Sequence, residues 1–252
     1  MKIIPLSEGA FTIDHTKEFV PFNKSVDELQ ERSRGSLLVE IQPFVVITSN
    51  DILLLDAGLG FADNHGILQL HQNLALNGIY PSDVTKVLMS HLHKDHSGGM
   101  VMFDQSRKEY QAAFPQATYY INKKEWDFAM LSESPSYQRD KIECLSNNNQ
   151  VVFLEDDHGS IDGYIHYQLS AGHSPHHQVF HIKEHGQIVF YGGDEAPQLQ
   201  QMKTRFVAKY DNDGKHAMEL RQQWWEEGAR EGWLFLFYHD IKIPTYQFHL
   251  EK

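Results

Sequence analysis

The chain has 252 residues, 41% hydrophobic and 22% charged, which suits one soluble domain, residues 1–252, with a sizeable core. Its 34 acidic residues outnumber 22 basic ones, giving a formal charge of −12, and no run of Lys and Arg offsets them; this argues against a nucleic-acid partner. Cys144 is the only cysteine, the N-terminal stretch is broken by Pro5 and closed by Glu8 unlike a signal peptide, and no apolar run has membrane-spanning length, so a cytoplasmic address is expected.

In chain order, residues 3–6 and 10–13 read as short strands, and residues 16–34 as a surface excursion of mixed charge. Strands follow at residues 36–41, 44–48 and 51–56, the last ending in Asp56-Ala57-Gly58-Leu59-Gly60. The apolar spacing of Ile67, Leu70 and Leu74, stopped by Asn77-Gly78, predicts a helix over 66–76. A strand over 85–89 leads into the most unusual stretch of the chain, Ser90-His91-Leu92-His93-Lys94-Asp95-His96-Ser97-Gly98-Gly99.

Further on, residues 118–121 read as a strand, 123–131 as a helix and 132–149 as helix with loops. A second strand group is expected at 151–154, 165–169, 178–182 and 187–191. An amphipathic helix over 215–228 places Trp224 and Trp225 in the core, and strands at 233–238 and 246–250 close the chain. Two strand groups with helices between them imply an α+β protein with two packed sheets and helices outside.

His91, His93, Asp95 and His96 put four metal-competent side chains within six residues, at the end of an apolar strand. Imidazole and carboxylate together suit zinc, iron or manganese better than magnesium or calcium. Burying so many unpaired polar groups is costly unless something compensates them. Three later residues, His173, Asp194 and His239, leave apolar strands in the same way and could complete a site. Of the 16 histidines, His15, His65, His71, His158, His166, His185, His216 and His249 carry no such context and read as structural or solvent-facing, and Cys144, in a polar segment, reads as incidental.

Taken in order, LLLDAG, SHLHKDHSGG, AGHSPHH, YGGD and FYHD resemble the metallo-β-lactamase superfamily across about residues 53–239. The resemblance implies an αββα sandwich of two mixed β-sheets flanked by helices, and a site for two divalent metal ions, zinc first, with iron or manganese as alternatives. His91, His93 and His173 would hold one metal, Asp95, His96 and His239 the other, and Asp194 would bridge them. Asp56 and His177 would orient the ligands from behind. The implied activity is hydrolysis of an ester, lactone, thioester or similar bond in a small molecule by a metal-activated hydroxide, with Asp95 or Asp194 handling the proton.

The branch most resembled is that of acyl-homoserine-lactonase-like hydrolases, and the chain departs from it twice. His176 stands where the motif usually has glycine, and Pro197 stands where those lactonases carry a tyrosine; Tyr191, Tyr210 or Tyr238 could substitute as the donor. Basic residues of the kind that read glutathione in glyoxalase-II-type thioesterases are not evident. Competing readings are a single-iron sulfur dioxygenase, a nuclease of the same superfamily and a non-catalytic metal binder. These expectations are compatible with a homodimer, without membrane attachment.

Overall fold

The computed structural model describes residues 1–249. Two six-stranded sheets dominate it. In the first, Lys2–Pro5, Phe44–Ile47 and Ile52–Leu55 run antiparallel in turn, and Lys86–Leu88, Thr118–Asn122 and Val151–Leu154 continue parallel to Ile52–Leu55. In the second, His158–Ile161, Ile165–Leu169, Gln178–Glu184 and Gln187–Tyr191 form an antiparallel meander; Leu234–Leu236 joins Gln187–Tyr191 in parallel, and Thr245–Gln247 closes the edge. Both sheets are mixed, as expected.

Strand alternation explains the layering. Phe44 and Val46, with Leu53 and Leu55, face Phe180, Ile182, Val189, Tyr191 and Leu236 across the gap between the sheets. Their alternates, Val45, Leu54, Val87 and Tyr119, point outward and are covered by Leu70 and Leu74 of the helix Gln69–Leu76 and by Trp126 and Ala129 of the helix Lys123–Leu131. On the far side Val179, Phe190, Phe235 and Phe237 pack against Trp224 of the helix Gly214–Glu231. Strands covered on both faces need apolar residues at every position, which is why the central runs show no polar alternation.

Several boundaries differ from the sequence reading for identifiable reasons. The helix predicted over 66–76 starts at Gln69, because Asp63 caps a turn by accepting from the His65 and Ile67 amides; Leu68 takes the core position and Ile67 is exposed. The helix predicted to end at Gly228 runs to Glu231 and stops at Gly232, which has φ +72°. Gly228 is instead a contact point: a Cβ there would lie 2.4 Å from the Phe235 ring. The excursion over 16–34 contains a strand, Phe19–Phe22, which pairs with Gly9–Ile13. Gly9–Ile13 also pairs with Leu37–Ile41, forming a separate three-stranded sheet. The hairpin of Val101–Asp104 and Glu109–Ala112 was not anticipated. The last strand is Thr245–Gln247, and Leu250 lies outside the described residues.

Candidate metal centre

The seven expected ligands, with Asp56 and His177 behind them, converge on one end of the sandwich. The strand Lys86–Leu88 delivers His91, His93, Asp95 and His96 through a short helical turn, Lys94–Ser97. The turn packs tightly on the loop after Ile52–Leu55: a Cβ on Gly98 would lie 2.2 Å from the Leu59 carbonyl oxygen, and one on Gly99 2.1 Å from that of Ala57. The two glycines closing the histidine motif are therefore required by backbone approach. The second sheet supplies His173, Asp194 and His239 from the ends of Ile165–Leu169, Gln187–Tyr191 and Leu234–Leu236.

The donor atoms form two adjoining sets. In one, His93 Nδ1 lies 3.0 Å from His91 Nε2 and 3.2 Å from His173 Nε2, which is 3.2 Å from Asp194 Oδ2. In the other, His239 Nε2 lies 2.9 Å from Asp194 Oδ1 and 3.5 Å from Asp95 Oδ2, and His96 Nε2 lies 3.1 Å from Asp194 Oδ1. Tetrahedral ligands at zinc-type bond lengths stand about 3.3 Å from one another. His96 Nε2 and Asp194 Oδ1 are both buried without a hydrogen-bond partner, although they face each other. Such orphaned atoms are costly alone and are what a shared cation would satisfy. The residues present thus offer two groups able to hold metal, His91, His93, His173 and Asp194 in one and Asp95, His96 and His239 in the other, with Asp194 Oδ1 also beside His96 and His239.

The rear nitrogens are fixed one by one. Asp56 holds His96 Nδ1 at 2.7 Å, Asp211 holds His173 Nδ1 at 2.9 Å, the Glu40 carbonyl holds His239 Nδ1 at 2.7 Å, and Ser90 Oγ lies 3.0 Å from His91 Nδ1. Each contact leaves Nε2 facing the centre. Asp56 also accepts from the Ser90 amide at 2.7 Å, the Ser90 hydroxyl at 2.6 Å and Tyr191 OH at 2.5 Å. Its backbone is left-handed, φ +53°, a strain of about 1–3 kcal/mol that this network holds in place. His177, buried, accepts from the Asp194 amide at 3.2 Å through Nε2 and lies 2.9 Å from Ser170 Oγ through Nδ1.

Charge follows this geometry. Burial, reinforced by neighbouring imidazoles, holds His91 and His93 well below the usual histidine range, so both keep free lone pairs. Burial also opposes charge on Asp194, but His239, His96 and His173 outweigh it and keep the carboxylate ionised.

Three supporting residues were missed from the sequence. Glu195 Oε2 accepts from the amides of Gly172 at 3.2 Å and His173 at 3.0 Å and from Ser170 Oγ at 2.9 Å. Glu125 accepts from the Leu92 amide at 3.0 Å and from Ser174 Oγ at 3.3 Å, tying the two histidine loops together. Asp211, which orients His173, sits in a loop with no motif to mark it. The only usable signal was for Glu125 and Glu195: a carboxylate inside an otherwise apolar helix face, and one directly following Asp194.

The departures noted in the sequence also resolve. The left-handed residue of the 170–177 loop is Ala171, φ +58°, so position 176 does not need glycine, and His176 packs its ring 5.8 Å from Phe128. Tyr191 and Tyr238 are buried and hydrogen-bonded, the latter to the Asp95 carbonyl at 2.5 Å. Tyr210 alone of the three lines the cavity above the donors, a space of about 650 Å³. Cys144 lies on the surface outside this cavity.

The chain matches the model of the metallo-beta-lactamase superfamily over residues 40–231. It is 29% identical over 114 residues to an N-acyl homoserine lactonase of Azorhizobium caulinodans, covering 42% of this chain, and 30% identical over 106 residues to an N-acyl homoserine lactonase of Bacillus cereus, again covering 42%. These matches span 38% and 36% of the relatives' own lengths. Among solved structures, a probable metal-dependent hydrolase from Staphylococcus aureus superposes with a TM-score of 0.78 at 23% identity, covering 98% of this chain and 91% of that one. The dizinc quorum-quenching lactonase AidC, with a bound product, gives 0.71 at 22% identity, covering 99% and 90%. With the family model spanning most of its length, the chain belongs to the metallo-beta-lactamase superfamily.

Proposed function

We propose that the chain is a single-domain, metal-dependent hydrolase that cleaves an ester, lactone or thioester of a small molecule at a two-metal centre. The observation that carries this reading is the placement of Asp194, whose Oδ1 approaches His239 and His96 while its Oδ2 approaches His173. One carboxylate serving two complete donor sets is the arrangement of a dinuclear site, and it weighs against a single-iron oxygenase, which leaves Asp95, His96 and His239 without a purpose. Zinc is the metal we favour, from the nitrogen-rich donors and the dizinc relative. Two such ions would acidify a shared water and polarise the scissile carbonyl.

The protein's own groups do the rest. Asp95 and Asp194 line the cavity and are the bases available to hold the proton released from water. Tyr210, whose ring lies 6.1 Å from that of His173, is the donor. Its oxygen accepts from Gln201 Nε2 at 3.1 Å, leaving the phenol hydrogen free, and burial raises its pKa to about 12, so it stays protonated at neutral pH. It takes the donor role that Pro197 cannot fill. The walls above are apolar, with Phe19, Leu37, Val39 and Phe206 among them, which suits an acyl chain better than a nucleic acid. No helix among the described residues is long and apolar enough to cross a membrane, and with a single cysteine the reading retains a cytoplasmic address.

A hydrolysis panel of lactones, thioesters, aryl esters and phosphotriesters with the metal-reconstituted protein tests the proposal. Turnover of a carboxylic ester, thioester or lactone that ceases on chelation is the expected result; turnover of phosphotriesters alone, or of none, would overturn it.

A further inference from the structure

Thirty-four carboxylates on a 252-residue chain leave few lysines without a partner near the core. Lys86 pairs with Asp51 and Asp162, Lys24 with Glu40, and Lys124 with Asp157. Lys17 and Lys94 are exceptions. Both are half-buried, both line the cavity above the metal centre, and neither makes an ion pair or a side-chain hydrogen bond among the described residues. Lys94 Nζ stands 5.8 Å over the Phe19 ring. Lys17 is held at the cavity by a left-handed backbone, φ +61°, with its amide bonded to the Asp14 carbonyl at 3.1 Å. Lys209, exposed and equally unpaired, lines the other wall.

The carboxylates at this rim are committed elsewhere. Asp14 accepts from the Thr16 amide at 2.9 Å and the Thr16 hydroxyl at 2.7 Å. Asp95 and Asp194 belong to the donor sets. Glu18 is exposed and makes no ion pair with either lysine. Two half-buried cations that line one cavity without an ion pair cost free energy that an anion bound in that cavity would recover.

We propose that Lys17 and Lys94 read a negatively charged group on the substrate, so that the substrate class is an acyl compound carrying a carboxylate or phosphate at the end remote from the scissile bond. The inference rests on the hydrolase reading and narrows it. The acyl stretch lies along Phe19 and the strand Leu37–Ile41, with the reacting carbonyl over Asp194. A neutral acyl chain would use the same walls but leave both cations unpaired.

The test uses the metal-loaded protein and aryl esters of one chain length, tipped with carboxylate, phosphate, uncharged amide or trimethylammonium. An anion-tipped ester should exceed the amide-tipped one in kcat/KM by about tenfold, with the cation-tipped ester last. The double variant K17M/K94M should collapse this order through KM, and each single variant should move it part of the way. Raising salt to about 0.5 M should narrow the preference. Whether the carboxylate or the phosphate leads identifies the charged group. No preference in the parent, or one unchanged in the double variant, overturns the proposal. Calorimetric binding of the matching non-hydrolysable amides runs in parallel. If no ester is cleaved but anion-tipped amides bind about tenfold more tightly to the parent than to the double variant, the hydrolase reading falls and the lysine assignment stands. Equal binding by parent and variant overturns the lysine assignment whatever the turnover.

Discussion

Asp56, buried behind the donors, and Phe206, on the wall of the cavity above them, are the extremes of the site. At Asp56 both oxygens are bonded, to an amide, a serine, a tyrosine and a histidine, and the side chain is fully buried. At Phe206 the ring lines the cavity with 42% of its surface exposed, beside Val207 at 51%. The floor is made from strand ends of two packed sheets, and its geometry is determined several times over. The walls come from the small sheet and from the loop before the helix Gly214–Glu231. The floor therefore has little freedom to vary without losing its chemistry, whereas the walls can change with the substrate at small cost to the fold.

Substitutions on the two sides should separate sharply. Asp194→Ala removes the atoms shared by both donor sets. We expect a loss of about 10³-fold or more in kcat/KM, at least what deleting an oxyanion donor costs, with one metal or none retained. Near-parental turnover would show that the floor is not as tightly determined as its geometry implies. Asp56→Asn keeps the shape but withdraws the charge that orients His96, and should cost about 10–100-fold in metal affinity, measured by competition with a chelator. Tyr210→Phe should reduce kcat by about tenfold with KM little changed, since the phenol is proposed to act after binding.

Glu8 tests the boundary between floor and wall through pH. Burial raises its pKa to about 7, against the Leu59 amide that donates to it at 2.7 Å, and Asp95 adds to the rise. Folded Glu8 therefore binds more protons than unfolded Glu8 between its ordinary value of 4.5 and about 7, so its contribution to stability falls as pH rises through that window. Glu8→Gln should gain stability over the parent by about 1 kcal/mol at pH 5 and about 3 kcal/mol at pH 8, read by urea unfolding. A gain independent of pH would contradict the buried-acid assignment. The smallest effect belongs to the wall: Phe206→Ser should alter stability by less than about 0.5 kcal/mol while raising KM for long acyl chains.

The contrast also explains what could be read from the chain. The donors were legible because four of them share one short loop and the remaining three follow apolar strands, a pattern with no cheap structural purpose. The central strands were legible because burial on both faces makes them short, continuous apolar runs. Asp211 was not, because a carboxylate that bonds a histidine from a distant loop leaves no local pattern. Of the small sheet, only the strand Phe19–Phe22 was hidden in a surface excursion, because it contains a proline and is flanked by charged residues, features that tertiary pairing overrode. The cation pair at the rim was invisible because Lys17 and Lys94 are far apart in sequence and only the fold removes their partners.

Metal content per chain tests the account most directly. Protein stripped with chelator, reconstituted with zinc and freed of excess metal should hold two ions, and Asp194→Ala should hold fewer under the same treatment. A reproducible single iron in carefully prepared protein, with no second ion taken up on reconstitution, would contradict the two-metal centre on which the proposed function depends.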